Sequence, residues 1–546
     1  MNIAGSTAAS DTAVAKTNSE LDDLDAMPFS SKGAAPGLKA AAGAAFLLGL
    51  ASAFGFAPVG WWPLMPLAFA GLAWLLGRTE TLGRALLIGW LFGVGQFILG
   101  LNWIATAFTY QAAMPVWLGW IAVFLLSLYL AIYPALGVGL AWRFGRRSPL
   151  ALVLALAGGW ALTEWLRATM FTGFAWNPVG VTLLDTFWRH DAAAIGTYGL
   201  SMLVILLGGC FALALASARR TAALLTLSIL AIGLLGWRPW SVPQVATGKS
   251  VRIVQPNIGQ EDKWREGLDE EAFQRLARLS AGGTGPRLLF WPEVAVPVPY
   301  QLEGPPPARL TASLPPATRA GRLLRPGDLL VTGAFALVID EQQNIVGSTN
   351  SVMPITPSGR ILGRYDKAHL VPYGEYLPMR PLLTAIGLSQ LAPGVGDTLP
   401  GPGPRNLDLP GWGRMGLQIC YEIIFSGEVV DPERRPDFLF NPSNDAWFGA
   451  WGPPQHLAQA RLRAAEEGLP IIRSTPTGIS AVIDARGGLV RSLPWRTAGV
   501  IDADLPLPKA PTFFARHGNI VPLTLAFLLL ILAVGMDARA RYRRGI

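Results

Sequence analysis

Residues 85–142 read ALLIGWLFGVGQFILGLNWIATAFTYQAAMPVWLGWIAVFLLSLYLAIYPALGVGLAW, without one charged side chain. A bilayer core is crossed by about 20 apolar residues in a helix. This stretch is long enough for two crossings, and its polar middle, Thr106 to Gln111, is where they divide. The same pattern repeats on both sides. No charge falls between Lys39 and Arg78, and Pro58 and Gly60 break that run into two spans, about 41–57 and 61–77. Further spans are expected over about 150–166, 192–215, 221–237 and 517–537, making eight. The whole-chain composition agrees. Hydrophobic residues are 51% and charged residues 15% of 546, against about 25% charged in an ordinary soluble domain.

Charge sorts the loops. Lys32 and Lys39 precede the first span, Arg78 and Arg84 separate the second from the third, and Arg143, Arg146 and Arg147 follow the fourth. Arg219 and Arg220 follow the sixth, and Arg539, Arg541, Arg543 and Arg544 follow the eighth. With eight spans these loops share one side, which the excess of Lys and Arg makes cytoplasmic. Both termini then lie inside, and the long connection between spans seven and eight lies outside, in the periplasm of a bacterium. The chain divides into a disordered cytoplasmic tail (1–38), a membrane domain of seven helices (39–240), an outward domain (241–516), and an eighth span with a basic tail (517–546). The acidic run Asp22, Asp23, Asp25 is unlike the basic start of a signal peptide. The arginines sit in short clusters at span ends, which suits lipid headgroups and topology rather than nucleic acid.

Within 241–516 short β-rich runs alternate with helical ones. Strands are expected at 251–257, 288–290, 328–339, 346–354, 415–420, 437–441, 471–474, 478–484 and 498–502, and helices at 261–279 and 454–467. Interleaving of this kind in one domain points to a layered α/β or α+β sandwich. The Pro-rich segments 304–326 and 393–410 read as long loops.

Cys420 is the only cysteine outside the spans; Cys210 lies deep in the sixth. A thiol at the end of the strand MGLQI is either a small buried hydrophobe or a nucleophile. A free thiol facing an oxidising compartment favours the second reading. Histidine, the usual base, is present outside the spans as His369 and His456, neither in a local pattern that argues for it. A carboxylate is the alternative base, and Glu293 in FWPE follows a strand among apolar neighbours. Lys367, in YDKAHLVPYGEYLP (365–378), supplies an ammonium. Each of the three also has an ordinary reading as a surface or ion-pair residue.

FWPE, YDKAHLVPYGEYLP and ICYE (419–422), in that order, resemble the Glu–Lys–Cys signature of the carbon–nitrogen hydrolase (nitrilase) superfamily. With eight spans around them, they resemble the bacterial apolipoprotein N-acyltransferases. VQPNIGQEDKW (254–264), NPSNDAWFG (441–449), QARLRAAEEGLPIIRSTPTG (459–478), GLNW (100–103) and EWLR…FTGFAW (164–176) are similar to that family too. Two departures stand out: Pro476 where the family usually has Asn, and TGFAWNPVG after the fifth span.

The resemblance implies an extracytoplasmic αββα sandwich and a two-step transfer. Glu293 is the base, Lys367 the oxyanion partner and Cys420 the nucleophile. An acyl chain passes from a phospholipid, phosphatidylethanolamine by family expectation, to the thiol. It then passes to the α-amino group of a diacylglyceryl-cysteine on an apolipoprotein. Glu375 and Glu422 are implied to orient Lys367 and a loop, Tyr373, Tyr376 and Trp447 to form a lid or touch lipid, and Asn441 and Asp445 to support the site. No metal or cofactor is needed, because thiol, carboxylate and ammonium complete the cycle. A monomer is expected. A membrane-anchored amidase and a transporter with a large outer domain are the alternatives, though eight spans exceed what an anchor needs and transport leaves the Glu–Lys–Cys set unexplained.

Overall fold

The computed structural model describes residues 36–543 apart from 111–114, 217, 237–245, 264, 266, 307–314 and 386–397. The expected N-terminal tail lies almost wholly outside the described residues.

The apolar stretches are helices: α1 (Leu38–Ala53), α2 (Leu64–Leu76), α3 (Leu82–Gly100), α4 (Trp117–Leu130), α5 (Ile132–Gly145), α6 (Pro149–Thr169), α7 (Ala192–Leu215) and α8 (Arg219–Gly236). The fourth expected span is thus two segments meeting at Ala131. Pro134 stands in the first turn of α5, where its missing N–H leaves a gap in the helical ladder. Among the described residues five helices are long and apolar enough to cross a bilayer: α3, α4 with α5, α6, α7 with the turn before it, and the C-terminal helix. The chain is an integral membrane protein. α1 and α2 are shorter; the 13 residues of α2 reach about 20 Å at 1.5 Å per residue. α1 and α3 pack through glycine. A Cβ on Gly49 would strike the Phe92 carbonyl, and one on Gly95 the Phe46 carbonyl. Such close backbone approach is how helices associate where lipid offers no hydrophobic drive.

The remainder is a two-sheet sandwich. One sheet orders β13 (Gly499–Pro506), β1 (Ala246–Gln255), β2 (Leu288–Trp291), β4 (Leu329–Ile339), β5 (Ile345–Ile355) and β6 (Tyr365–Asp366), with β3 (Pro299–Glu303) also paired to β4. The other orders β12 (Leu489–Ser492), β11 (Ala481–Ile483), β10 (Ile471–Ser474), β9 (Phe438–Pro442), β8 (Gly413–Leu417) and β7 (Asn406–Leu409). Strand alternation sorts the residues. Leu288, Phe290, Phe438, Phe440, Ile472 and Val482 meet between the sheets, and the Phe290 and Phe440 rings stand 4.7 Å apart. Full burial of one such side chain stabilises by about 1.5–3 kcal/mol. The alternate residues Leu289 and Trp291 face α9 (Leu268–Ser280) on one outer side. Leu439, Ile471 and Ile483 face α10 (Gly452–Glu467) on the other. The order of layers is therefore α9, sheet, sheet, α10.

Three expectations are corrected. The loop 304–326 contains the helix Pro316–Gly321, and 393–410 contains β7. The strand expected through Cys420 ends at Leu417, and Cys420 opens a 3-10 turn, Cys420–Ile424. Beyond these, most charged residues of α10 lie away from water. Arg463, Glu466 and Glu467 are buried, because that face meets the membrane helices. Glu466 accepts from the N–H and hydroxyl of Thr197 on α7, both at 2.6 Å, and from Ser426 at 2.9 Å. α11 (Ile520–Arg543) then returns alongside α6 and α7, and its Asp537 pairs with Arg147 at 2.5 Å.

Candidate active site

Three strand ends converge. β2 stops at Trp291, and Pro292 turns the chain so that Glu293 enters the interior, 6% exposed. Gly333 of β4 makes room: a Cβ there would collide with the Glu293 backbone. Its carbonyl takes the Ala295 N–H at 3.1 Å. Lys367 directly follows β6. Its N–H donates to the Asn350 carbonyl of β5 at 2.8 Å, and its side chain is 1% exposed. Cys420 follows β8 with φ +52°, a left-handed conformation unusual for any residue but glycine. It too is buried.

The ionisable groups form a connected set. Lys367 Nζ lies 2.9 Å from Glu375 and 3.9 Å from Glu293 Oε1. Asn350 Nδ2 donates to both carboxylates, at 2.7 Å to Glu293 and 3.1 Å to Glu375. Burial alone would favour loss of the Lys367 proton. The Glu375 and Glu293 carboxylates outweigh it and hold the ammonium above its ordinary value. Burial and the Glu293 carboxylate push the Cys420 thiol well up, while Lys367 and the Asn444 N–H act the other way. At rest the thiol is protonated, so a base must act on it before it attacks.

Of the supporting residues named from sequence, Glu375, Glu422 and Asn441 bond to this set or to its backbone neighbours, and Asp445 does so through His456. Glu375 braces Lys367 and also accepts the Val371 N–H at 2.8 Å. Glu422 accepts the N–H groups of Ile419 (2.6 Å), Ala368 (2.7 Å) and His369 (3.0 Å), and the Tyr365 hydroxyl at 3.0 Å. One carboxylate thereby ties the Lys367 loop to the Cys420 turn. Asn441 donates to the Gln418 carbonyl at 2.6 Å. Asp445 is fully buried and paired with Arg473 at 2.7 Å and His456 at 2.8 Å. The Arg473 guanidinium and His456 overcome its burial and hold its carboxyl below the ordinary range. Tyr373 is exposed, Tyr376 half-buried, and Trp447 is half-buried with its ring 5.8 Å from Tyr110 of the membrane side. Pro476 keeps its loop in place through its carbonyl, which accepts the Asn257 N–H at 2.7 Å. A missing N–H at position 476 does not disturb that bond.

Sequence reasoning set His456 aside and missed Lys263 and Asn350. His456 Nε2 stands 3.0 Å from the Cys420 carbonyl, under the nucleophile. The signal was the spacing of Gln455, Gln459 and Arg463 with His456 along α10, a polar stripe on a helix buried almost throughout. Lys263 donates to the Glu293 carbonyl at 3.0 Å; it sits in the quoted VQPNIGQEDKW. Asn350 carries no local pattern and is brought in by the β4–β5 pairing alone.

Glu164 and Arg167, in the EWLR segment at the end of α6, are both buried. They lie 4.0 Å apart. Glu164 takes the Ser201 hydroxyl at 2.5 Å and the Val179 N–H at 2.9 Å. Arg167 donates to the Phe174 and Trp176 carbonyls, each at 2.9 Å. The pair shapes the 170–180 loop, whose Trp176 indole donates to Gln455 of α10 at 2.8 Å.

Two family models match the chain: the apolipoprotein N-acyltransferase N-terminal domain over residues 48–210 and the carbon–nitrogen hydrolase domain over 250–512. An apolipoprotein N-acyltransferase of Rhodopseudomonas palustris is 35% identical over 514 residues, covering 90% of this chain and 94% of the relative. Those of Bradyrhizobium diazoefficiens and Brucella melitensis are also 35% identical, covering 91% and 87% of this chain and 95% and 92% of the relatives.

Proposed function

We propose a thiol-mediated acyl transfer for this chain, which belongs to the apolipoprotein N-acyltransferase family of the carbon–nitrogen hydrolases. The protein is an acyltransferase that N-acylates lipoproteins. Glu293 takes the proton of Cys420, and the thiolate attacks the ester carbonyl of a phospholipid acyl chain. Negative charge on the tetrahedral oxygen is met by the Lys367 ammonium and nearby N–H groups such as that of Asn444. Collapse expels the lysophospholipid, which takes its proton from Glu293, and leaves a thioester on Cys420. The free α-amino group of a diacylglyceryl-cysteine then attacks. Glu293 accepts the amine proton and passes it to the departing Cys420 sulfur, which restores the free thiol. Phosphatidylethanolamine is the proposed donor, and the enzyme works as a monomer.

The observation that carries this reading is the meeting of Glu293, Lys367 and Cys420, from three separate strand ends, in one buried polar set on the membrane-facing molecule. Burial serves the transfer, because a thioester survives only where water is excluded until an amine arrives. The proposed setting is a bacterial inner membrane crossed eight times, with both termini cytoplasmic. The proposed divisions are a tail (1–38), seven helices (39–240), a periplasmic catalytic domain (241–516), and a last helix with its basic tail (517–546).

Mass spectrometry of the purified enzyme after incubation with phospholipid vesicles tests the scheme. Wild type gains one acyl mass on the Cys420 peptide and loses it when a diacylglyceryl-cysteine peptide is added. Cys420→Ala gains none and transfers none. Label on another residue, or transfer by Cys420→Ala, overturns the scheme.

A further inference from the structure

Lys263 is buried at the side of the site, in the short helix Gln260–Lys263 after β1. Its ammonium donates to the Glu293 main-chain carbonyl at 3.0 Å. With Glu293, Val294 and Pro476 it lines a narrow cavity. The charged and titratable groups facing it are Glu293 and Cys420, with Asp262 on the same cavity wall. Val294, next to the anchored carbonyl, holds φ +42°, an uncommon conformation for a β-branched residue that only a constrained turn maintains. The Glu293 Oε2 atom is buried and has no hydrogen-bond partner among the described residues.

Charge balance gives this placement a meaning. Without Lys263, the site holds one ammonium, Lys367, against two carboxylates, Glu293 and Glu375. Passing the Cys420 proton to Glu293 exchanges a carboxylate for a thiolate and leaves the set at a net charge of −1, in a buried space where uncompensated charge is costly. With Lys263 charged, two ammoniums face two carboxylates. Moving the Cys420 proton to Glu293 then keeps the set neutral throughout.

We infer that Lys263 is a second ammonium of the transfer centre, a positioning residue that anchors the Glu293 main chain and balances the charge of the Cys420 thiolate. The inference rests on the Glu293–Lys367–Cys420 reading above. Burial, partly offset by Glu293 and Cys420, lowers the Lys263 pKa to about 8. The ammonium is therefore present at neutral pH and lost as pH rises through that value, and thiolate formation loses its counter-charge with it.

The experiment measures the rate of Cys420 acylation from phosphatidylethanolamine vesicles by the full-length enzyme, at pH values on both sides of 8, for wild type, Lys263→Arg and Lys263→Met. Thermal unfolding of each variant is followed alongside. Wild type is expected to slow above pH about 8. Lys263→Arg is expected to lose that alkaline limb, because a guanidinium does not titrate there. Folded Lys263→Met is expected to acylate about ten- to a thousandfold more slowly at neutral pH, the range that one neighbouring charge exerts on a pKa. If Lys263→Met does not fold, the alkaline limb of Lys263→Arg decides. A wild-type limb retained in Lys263→Arg, or a folded Lys263→Met at the wild-type rate, overturns the inference while acyl label on Cys420 leaves the underlying scheme standing. Wild-type label away from Cys420 overturns the scheme itself.

Discussion

Glu422 shows how one side chain sets the geometry of two others. Its carboxylate is surrounded by donors from both the Lys367 loop and the Cys420 turn, and every one needs an acceptor. Glu422→Gln replaces one of those acceptor oxygens by an NH2 that points at an N–H. A buried donor left unsatisfied costs about 1–3 kcal/mol. The variant is expected to melt at lower temperature and to lose most Cys420 acylation, because Lys367 and Cys420 drift apart. Differential scanning calorimetry and acyl-enzyme mass measurement check both parts; wild-type acylation in the variant would remove Glu422 from the positioning role. Glu422 and Glu375 could be picked out beside their partners in sequence. What each one holds could not, since hydrogen bonds to residues 53 or 54 positions away are set by strand order.

At the scale of elements, α6, the 170–180 loop and α10 form one continuous support beneath the nucleophile. Glu164 and Arg167 fix the loop, Trp176 fixes Gln455, and the neighbouring His456 stands under the Cys420 carbonyl. Among the described residues these groups bond backbone and one another rather than the reacting atoms, so their effect on chemistry passes through position. Glu164→Gln is expected to lower transfer partially and to reduce thermal stability, whereas Cys420→Ala is expected to abolish transfer. Comparing initial rates of peptide acylation with equal amounts of folded enzyme separates the two; an equally complete loss in folded Glu164→Gln would place Glu164 in the chemistry. Helix and strand positions were legible from periodicity, including α6, α7, α10 and most strands. The short β3, β7 and β12 were not, because four or five residues at a sheet edge carry too little pattern to stand out from loop.

For the whole molecule, topology and packing address the same problem of bringing lipid to a buried thiol. The proposed orientation puts the arginine-flanked loops inside and the sandwich outside. Reporter fusions after Arg220 and after residue 240 are expected to lie on opposite sides of the membrane, read as alkaline phosphatase activity for one and cytoplasmic fluorescence for the other. The same side for both would change the number of spans. The catalytic layers rest directly on the membrane helices: Glu466 binds Thr197, and the His369 ring nitrogen stands 3.0 Å from the Thr172 carbonyl.

The amino-acid sequence by itself determined that apolar helices flank a layered α/β domain, and it singled out Glu293, Lys367 and Cys420. Hydropathy and strand alternation act over neighbouring residues, so both are written locally. Tertiary structure alone decided that Asn350 bridges two carboxylates, that the charged face of α10 is an interior surface, and that Lys263 and His456 belong beside the nucleophile. Each of these depends on which strands pair and which faces meet. Burial then makes the difference, because a charge far apart in sequence acts on a thiol only when folding removes the water between them.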